Sequence, residues 1–193
     1  MQQRSEETRG HILEAALIQF SSSGYDAASV DDICAEAGVS KGAFYHHFPS
    51  KQAVFLALLE DWLKTVDASL EAARKSTVPE TLTNMARMLP VIFSQADGRL
   101  PMFLEFWLQA SRDETVWKAT IAPYQRYLDY FTGLVKQGIE EGSFRPVDPR
   151  SAAQVIVSFA VGLLLQGLLA AESTDWKKTA EESMNILMKG LAK

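Results

Sequence analysis

From Ala152 to Ala171 the chain runs twenty residues without a charged side chain. As a helix this segment rises about 30 Å, enough to cross the hydrocarbon core of a bilayer. It must be shielded from water on nearly every side, whether by lipid, by the rest of the chain or by a second copy. Gln154, Ser158 and Gln166 interrupt it, and no second stretch of the kind occurs. A helix apolar all round is also what the middle of a bundle requires. The buried reading is preferred, and no membrane partner is expected.

The rest of the chain carries helical periodicity almost throughout, with sustained two-residue alternation nowhere. The expected fold is all-α, about nine helices in all. A first helix from Glu6 to Ser22 puts Ile12, Leu13, Ala16, Leu17 and Phe20 on one face and stops at Gly24. Ser29, with Asp32 three residues on, reads as a capping box opening a short helix over Val30 to Ala37. Ser40 caps a second short helix, Lys41 to His47, and Ser50 caps a long one from Lys51 into the Ala72 region. Apolar spacings, Pro101, and Asp148 before Pro149 mark five further helices. Residues 1–50 form the expected reading domain and 51–193 a second, helical domain, joined by the helix that starts at Lys51.

Hydrophobic residues at 47% and charged ones at 22% describe an ordinary globular protein. A net charge of −5 does not advertise nucleic acid, but a dimer with small reading heads needs only a local basic footprint. The single cysteine, Cys34, leaves no internal disulfide framework and suits a reducing cytoplasm. Met1 to Arg9 is polar, with no apolar run behind it, so no secretory signal is expected.

The informative stretch is Ser29 to Phe48, two short capped helices separated by Gly38-Val39-Ser40. Ile33 and Ala37 face inward from the first, Val39 plugs the turn, and Phe44 and Phe48 face inward from the second. A short glycine turn fixes such a pair at a steep angle, the geometry of a helix-turn-helix whose second helix enters the major groove.

These residues carry a resemblance. Ile12-Leu13-x-Ala-Ala-x-x-x-Phe20, Gly24-Tyr25, Ser29-Val-x-x-Ile33, Ala37-Gly-Val-Ser-Lys-Gly42 and Phe44-Tyr-x-x-Phe-x-x-Lys51 are similar to the N-terminal signature of the TetR family of bacterial regulators. The match covers about the first quarter of the chain at near-full density. The resemblance implies that Ser40, Lys41, Gly42 and Ala43 begin a recognition helix, with Tyr45, His46 and His47 farther along it. Lys41 is long enough to reach guanine O6 or N7, and the two small residues allow close approach to the groove floor. Tyr45 matches a position that contacts the phosphate backbone and sometimes bases, and Ser29, His47 and Lys51 match phosphate-contacting positions. Asp31 and Asp32 depart from the pattern. Only Arg4, Arg9, Lys41 and Lys51 are at hand to offset them.

The resemblance also implies a dimer and an effector site in the second domain. An aromatic and apolar set, Trp62, Met88, Phe103, Phe106, Trp107, Tyr124, Tyr127, Phe159 and Gln166, is the candidate lining of a largely apolar pocket. Core packing competes with that role at each of these positions. Val157, Val161, Leu164 and Leu168 on the uncharged helix, with Met184, Leu187 and Leu191 on the last, are the candidate dimer contacts.

Other function classes lack residues to run them. No nucleophile–histidine pairing, phosphate loop or metal spacing occurs, and no histidine lies beyond His47. Adjacent His46 and His47 point about 100° apart on a helix and seldom chelate together. The expectation is a non-enzymatic, cytoplasmic, ligand-responsive regulator, a repressor without cofactor. Its partners are a palindromic double-stranded operator, a small effector and a second copy of itself.

Overall fold

The computed structural model describes residues 2–95, 100–169 and 174–192, with the side chains of 2–4, 90–95, 100–103 and 168–169 left aside. The described residues form nine helices: α1 (Gln2–Ser23), α2 (Val30–Ala37), α3 (Lys41–His47), α4 (Lys51–Ala72), α5 (Val78–Gln95), α6 (Leu100–Ala110), α7 (Glu114–Glu140), α8 (Pro149–Leu169) and α9 (Trp176–Leu191). Side chains set most of the starts. Ser50 Oγ accepts the Ala53 N–H at 3.1 Å, Asp113 accepts those of Thr115 and Val116, and Asp148 accepts that of Ser151. Pro123 lies inside α7 without ending it.

Two compact units emerge, Met1–Thr65 with Gly98–Thr120, and Val66–Asp97 with Ile121–Lys193. The chain passes between them three times, inside α4, between α5 and α6, and inside α7. In the first unit, Ile12, Ala16 and Phe20 of α1 pack with Ile33, Phe44, Val54 and Phe55, all essentially inaccessible to water. Phe55 is the hub, its ring centre 5.7 Å from that of Phe20 and 4.6 Å from those of Tyr25 and Phe106. The second unit buries Leu82, Met85 and Ala86 of α5 with Leu128, Phe131 and Val135 of α7, Ala153 and Ile156 of α8 and Met184 of α9. The loop after α7 turns at Gly142 (φ 79°) and folds Phe144 back onto Gly138, while the Arg145 N–H and guanidinium bond the carbonyls of Leu191 and Gly190.

The uncharged helix is oriented differently from expectation. Val157, Leu164, Met184 and Leu191, expected to meet a partner, are buried within their own chain, and Val161 and Leu187 are half-buried against the same core. The second unit's own packing already covers that arc of α8. The apolar residues that α8 leaves exposed are Val155 and Leu165, and α9 leaves Ile186 at 72%. Leu168 lies outside the described side chains. By length and composition, residues 149–167 could cross a membrane. Gln154, Ser158 and Gln166 all fall on the exposed side, so that side is not lipid-like.

Candidate nucleic-acid interface

The reading head is assembled by local chemistry. Ser29 Oγ accepts the Asp32 N–H at 3.1 Å while the Asp32 carboxylate accepts the Ser29 N–H at 3.0 Å. The Ser29 hydroxyl also donates to that carboxylate, and this bond first, with the Ser29 N–H second, holds the Asp32 carboxyl below its usual range. Gly38 ends α2 in the left-handed region (φ 65°), a conformation that a side chain would strain. Ser40 Oγ then accepts the Ala43 N–H at 3.1 Å and starts α3.

That geometry turns α3 so that Phe44 and Phe48 enter the core, while Lys41, Gly42, Tyr45 and His46 are exposed and Ala43 and His47 half-buried. Tyr45 is 53% exposed, its ring edge-on to Phe44. A Cβ added at Gly42 would meet only Ser40 Oγ, so this glycine leaves open space outside the helix. Arg9 of α1 lies over the Phe48 ring at 5.3 Å. Cys34 is buried, and desolvation pushes its thiol up, away from a reactive thiolate. His46 and His47 are in ring contact, and no group of three metal-ligating side chains occurs among the described residues.

Two cations of the head are engaged in ways the sequence did not reveal. The Lys41 ammonium pairs with Asp31 at 2.7 Å. The Lys51 ammonium turns inward, donating to the carbonyls of Tyr25 at 2.6 Å and Ala28 at 2.8 Å. Lys51 therefore clamps the loop between α1 and α2. The same loop is gripped from α6: the buried Gln109 amide donates to Asp26 at 3.3 Å and to Glu105 at 3.1 Å, and Arg112 reaches Asp26 at 3.4 Å.

Residues 12–58 match the family described as bacterial regulatory proteins, tetR family, and residues 83–189 match the C-terminal domain of BetI-type transcriptional repressors. The regulator AcrR of Shigella flexneri is 30% identical over 96% of this chain and 90% of its own. The chain belongs to the TetR family. The A-factor receptor protein of Streptomyces griseus is 25% identical over 99% of this chain and 66% of its own. A regulator from Saccharomonospora viridis, solved in complex with choline, has the same fold, with a TM-score of 0.81 at 21% identity over 97% of this chain and 99% of that one. Regulators of the TetR family are not enzymes, and homodimers and repressors are typical among them.

The candidate effector residues of this TetR-family chain divide between the two units. In the first, Phe106 is buried against Phe55, Trp62 is half-buried, and Trp107 is 47% exposed. In the second, Met88 and Phe159 are half-buried against the core. Tyr124 accepts a hydrogen bond from Gln154 at 2.8 Å, and Gln166 is exposed. The side chain of Phe103 lies outside the described residues. Tyr127 donates to Asp67 at 2.9 Å, and Arg126 bonds the same carboxylate at 2.8 Å. Burial first, and then Asp67, push the Tyr127 hydroxyl up to about 12. One residue outside the candidate set stands out. The Tyr130 hydroxyl is buried with no hydrogen-bond partner among the described residues.

Proposed function

We propose that the chain is a ligand-responsive repressor that binds a palindromic operator as a homodimer through α3. It releases the operator when a small, largely apolar effector occupies the C-terminal domain. Residues 1–50 read DNA, residues 51–193 bind effector and dimerise, and α4 joins the two roles. The carrying observation is the outward face of α3, where Lys41, Gly42, Tyr45 and His46 are exposed while Phe44 and Phe48 anchor the helix. Ser29, Ser40, Ala43 and His47 flank that face, within reach of a phosphate backbone.

Two observations support a link to an effector. Phe106 of α6, inside the segment that matches BetI-type repressors, packs on Phe55 in the core of the head's own unit. A ligand that prefers a different setting of α6 must repack that contact, and it shifts the equilibrium only by its differential affinity. The buried Tyr130 hydroxyl is a donor awaiting an acceptor, a deficit of about 1–3 kcal/mol that a polar group on an effector would relieve. The dimer face in this reading is the exposed Val155, Ser158 and Leu165 of α8, with half-buried Gly162 between them, together with Ile186 of α9. Gly162 lets helix axes approach closely. The protein acts in the cytoplasm, where its operator is.

A gel-shift titration of the DNA upstream of its own coding sequence tests the reading, paired with a thermal-shift screen of metabolites. A shifted complex that a stabilising metabolite dissolves is expected. A protein that binds every duplex alike and is stabilised by nothing would overturn it.

A further inference from the structure

Asp31 is the second residue of α2 and Lys41 the first of α3, and the turn brings their side chains together at 2.7 Å. Both are mostly in water, at 61% exposure for Lys41 and 66% for Asp31, so the pair adds little to folding. Nor does Asp31 serve as a cap, because Asp32 closes the capping box at that helix end. An acid that neither caps nor packs, set beside the leading cation of a DNA-reading helix, is a liability to phosphate binding. Its place in the first turn of α2 suits the helix dipole, but Asp32 in the same turn already supplies that charge.

We propose that Asp31 is a specificity-determining residue. Its carboxylate holds the Lys41 ammonium toward the groove, and the pair together selects a G·C base pair beneath the start of α3. This rests on the reading that α3 enters the major groove. A lysine alone is a point charge on a flexible stem and satisfies a phosphate as readily as a base. Asp31 takes one of its three N–H donors and offsets its charge, leaving two donors for guanine O6 and N7. The carboxylate keeps an oxygen for the cytosine N4 amino group, so donor and acceptor lie side by side, as they do on the G·C edge. Asp31 also keeps the ammonium firmly charged, through a hydrogen bond first and charge second.

The test is selection from a randomised duplex pool with the full-length parent. The winning sequence is then titrated, with each base pair replaced in turn and at several salt concentrations, against the parent, Asp31→Asn, Asp31→Glu and Lys41→Ala. One G·C pair per half-site should emerge whose replacement weakens the parent by about tenfold or more. Asp31→Asn should lose most of that discrimination while binding unrelated duplex more tightly, with a salt slope steeper by about one ion per head. Asp31→Glu should retain part of it, and Lys41→Ala should lose it, with no further loss when Asp31→Asn is added to Lys41→Ala. Asp31→Asn that binds all duplexes more tightly but keeps the G·C preference would overturn the proposal, leaving Asp31 a mere screen of charge. Loss of all binding by Asp31→Asn together with a lowered melting temperature would also overturn it. A parent that selects no sequence at all would defeat the repressor reading itself.

Discussion

The Lys51 ammonium donates to the Tyr25 carbonyl oxygen at 2.6 Å and stands 4.4 Å from the centre of the same residue's ring. A side chain whose position in the family motif implies phosphate contact is thus turned inward, onto the loop that carries Ser29. Lys51→Ala should lower the unfolding free energy by about 2 kcal/mol through the lost charged hydrogen bonds. It should weaken DNA binding with little change in the salt dependence. Chemical denaturation and salt titration check this. Unchanged stability with a slope shallower by about one ion would restore the phosphate contact.

Gly138 faces the Phe144 ring so closely that an added Cβ would overlap it, and that ring is itself buried. Gly138→Ala should cost about 1–3 kcal/mol by overpacking, with the reading head unaffected. An unfolding midpoint equal to the parent's would contradict the contact.

Tyr127, raised from about 10 to about 12 in the folded chain, is favoured neutral by folding. Its contribution is complete below pH 10 and disappears as the pH climbs toward 12, because only the unfolded chain releases the proton freely in that window. The melting temperature of the parent should therefore fall more steeply between pH 10 and 12 than that of Tyr127→Phe. Parallel profiles would mean that Tyr127 titrates normally.

The two faces of α8 should respond oppositely to charge. Val157 is buried in its own chain, whereas Leu165 and, on α9, Ile186 are exposed. Val157→Glu should fail to fold, since a lone buried carboxylate costs several kcal/mol. Leu165→Glu and Ile186→Glu should give helical monomers. Sedimentation and circular dichroism separate these outcomes, and a folded monomer from Val157→Glu would favour the opposite face.

The bounds of α2 and α3 were legible residue for residue, because Ser29, Gly38 and Ser40 act on backbone groups three or four positions away. The inward turn of Phe44 and Phe48 followed from spacing alone. The facing of α8 was not legible: its apolar residues lie on both sides, and the second unit's packing decides which are covered. Lys51 and Gln109 bond groups 26 and 83 residues away, separations at which no local pattern operates. Phe106 is a candidate pocket residue by its sequence and packs on Phe55 in the structure, because spacing on α6 cannot tell a pocket wall from a core.

Footprinting shows directly whether the exposed face of α3 reads an operator. Hydroxyl-radical cleavage of the selected duplex would be compared for the parent and Tyr45→Ala. Tyr45 is 53% exposed, so its removal should leave helicity and dimer state unchanged. The parent should protect two half-sites about one helical turn apart, about 34–36 Å, and Tyr45→Ala should lose this protection at the same concentration and salt. Equal protection by the two proteins would contradict this role for α3.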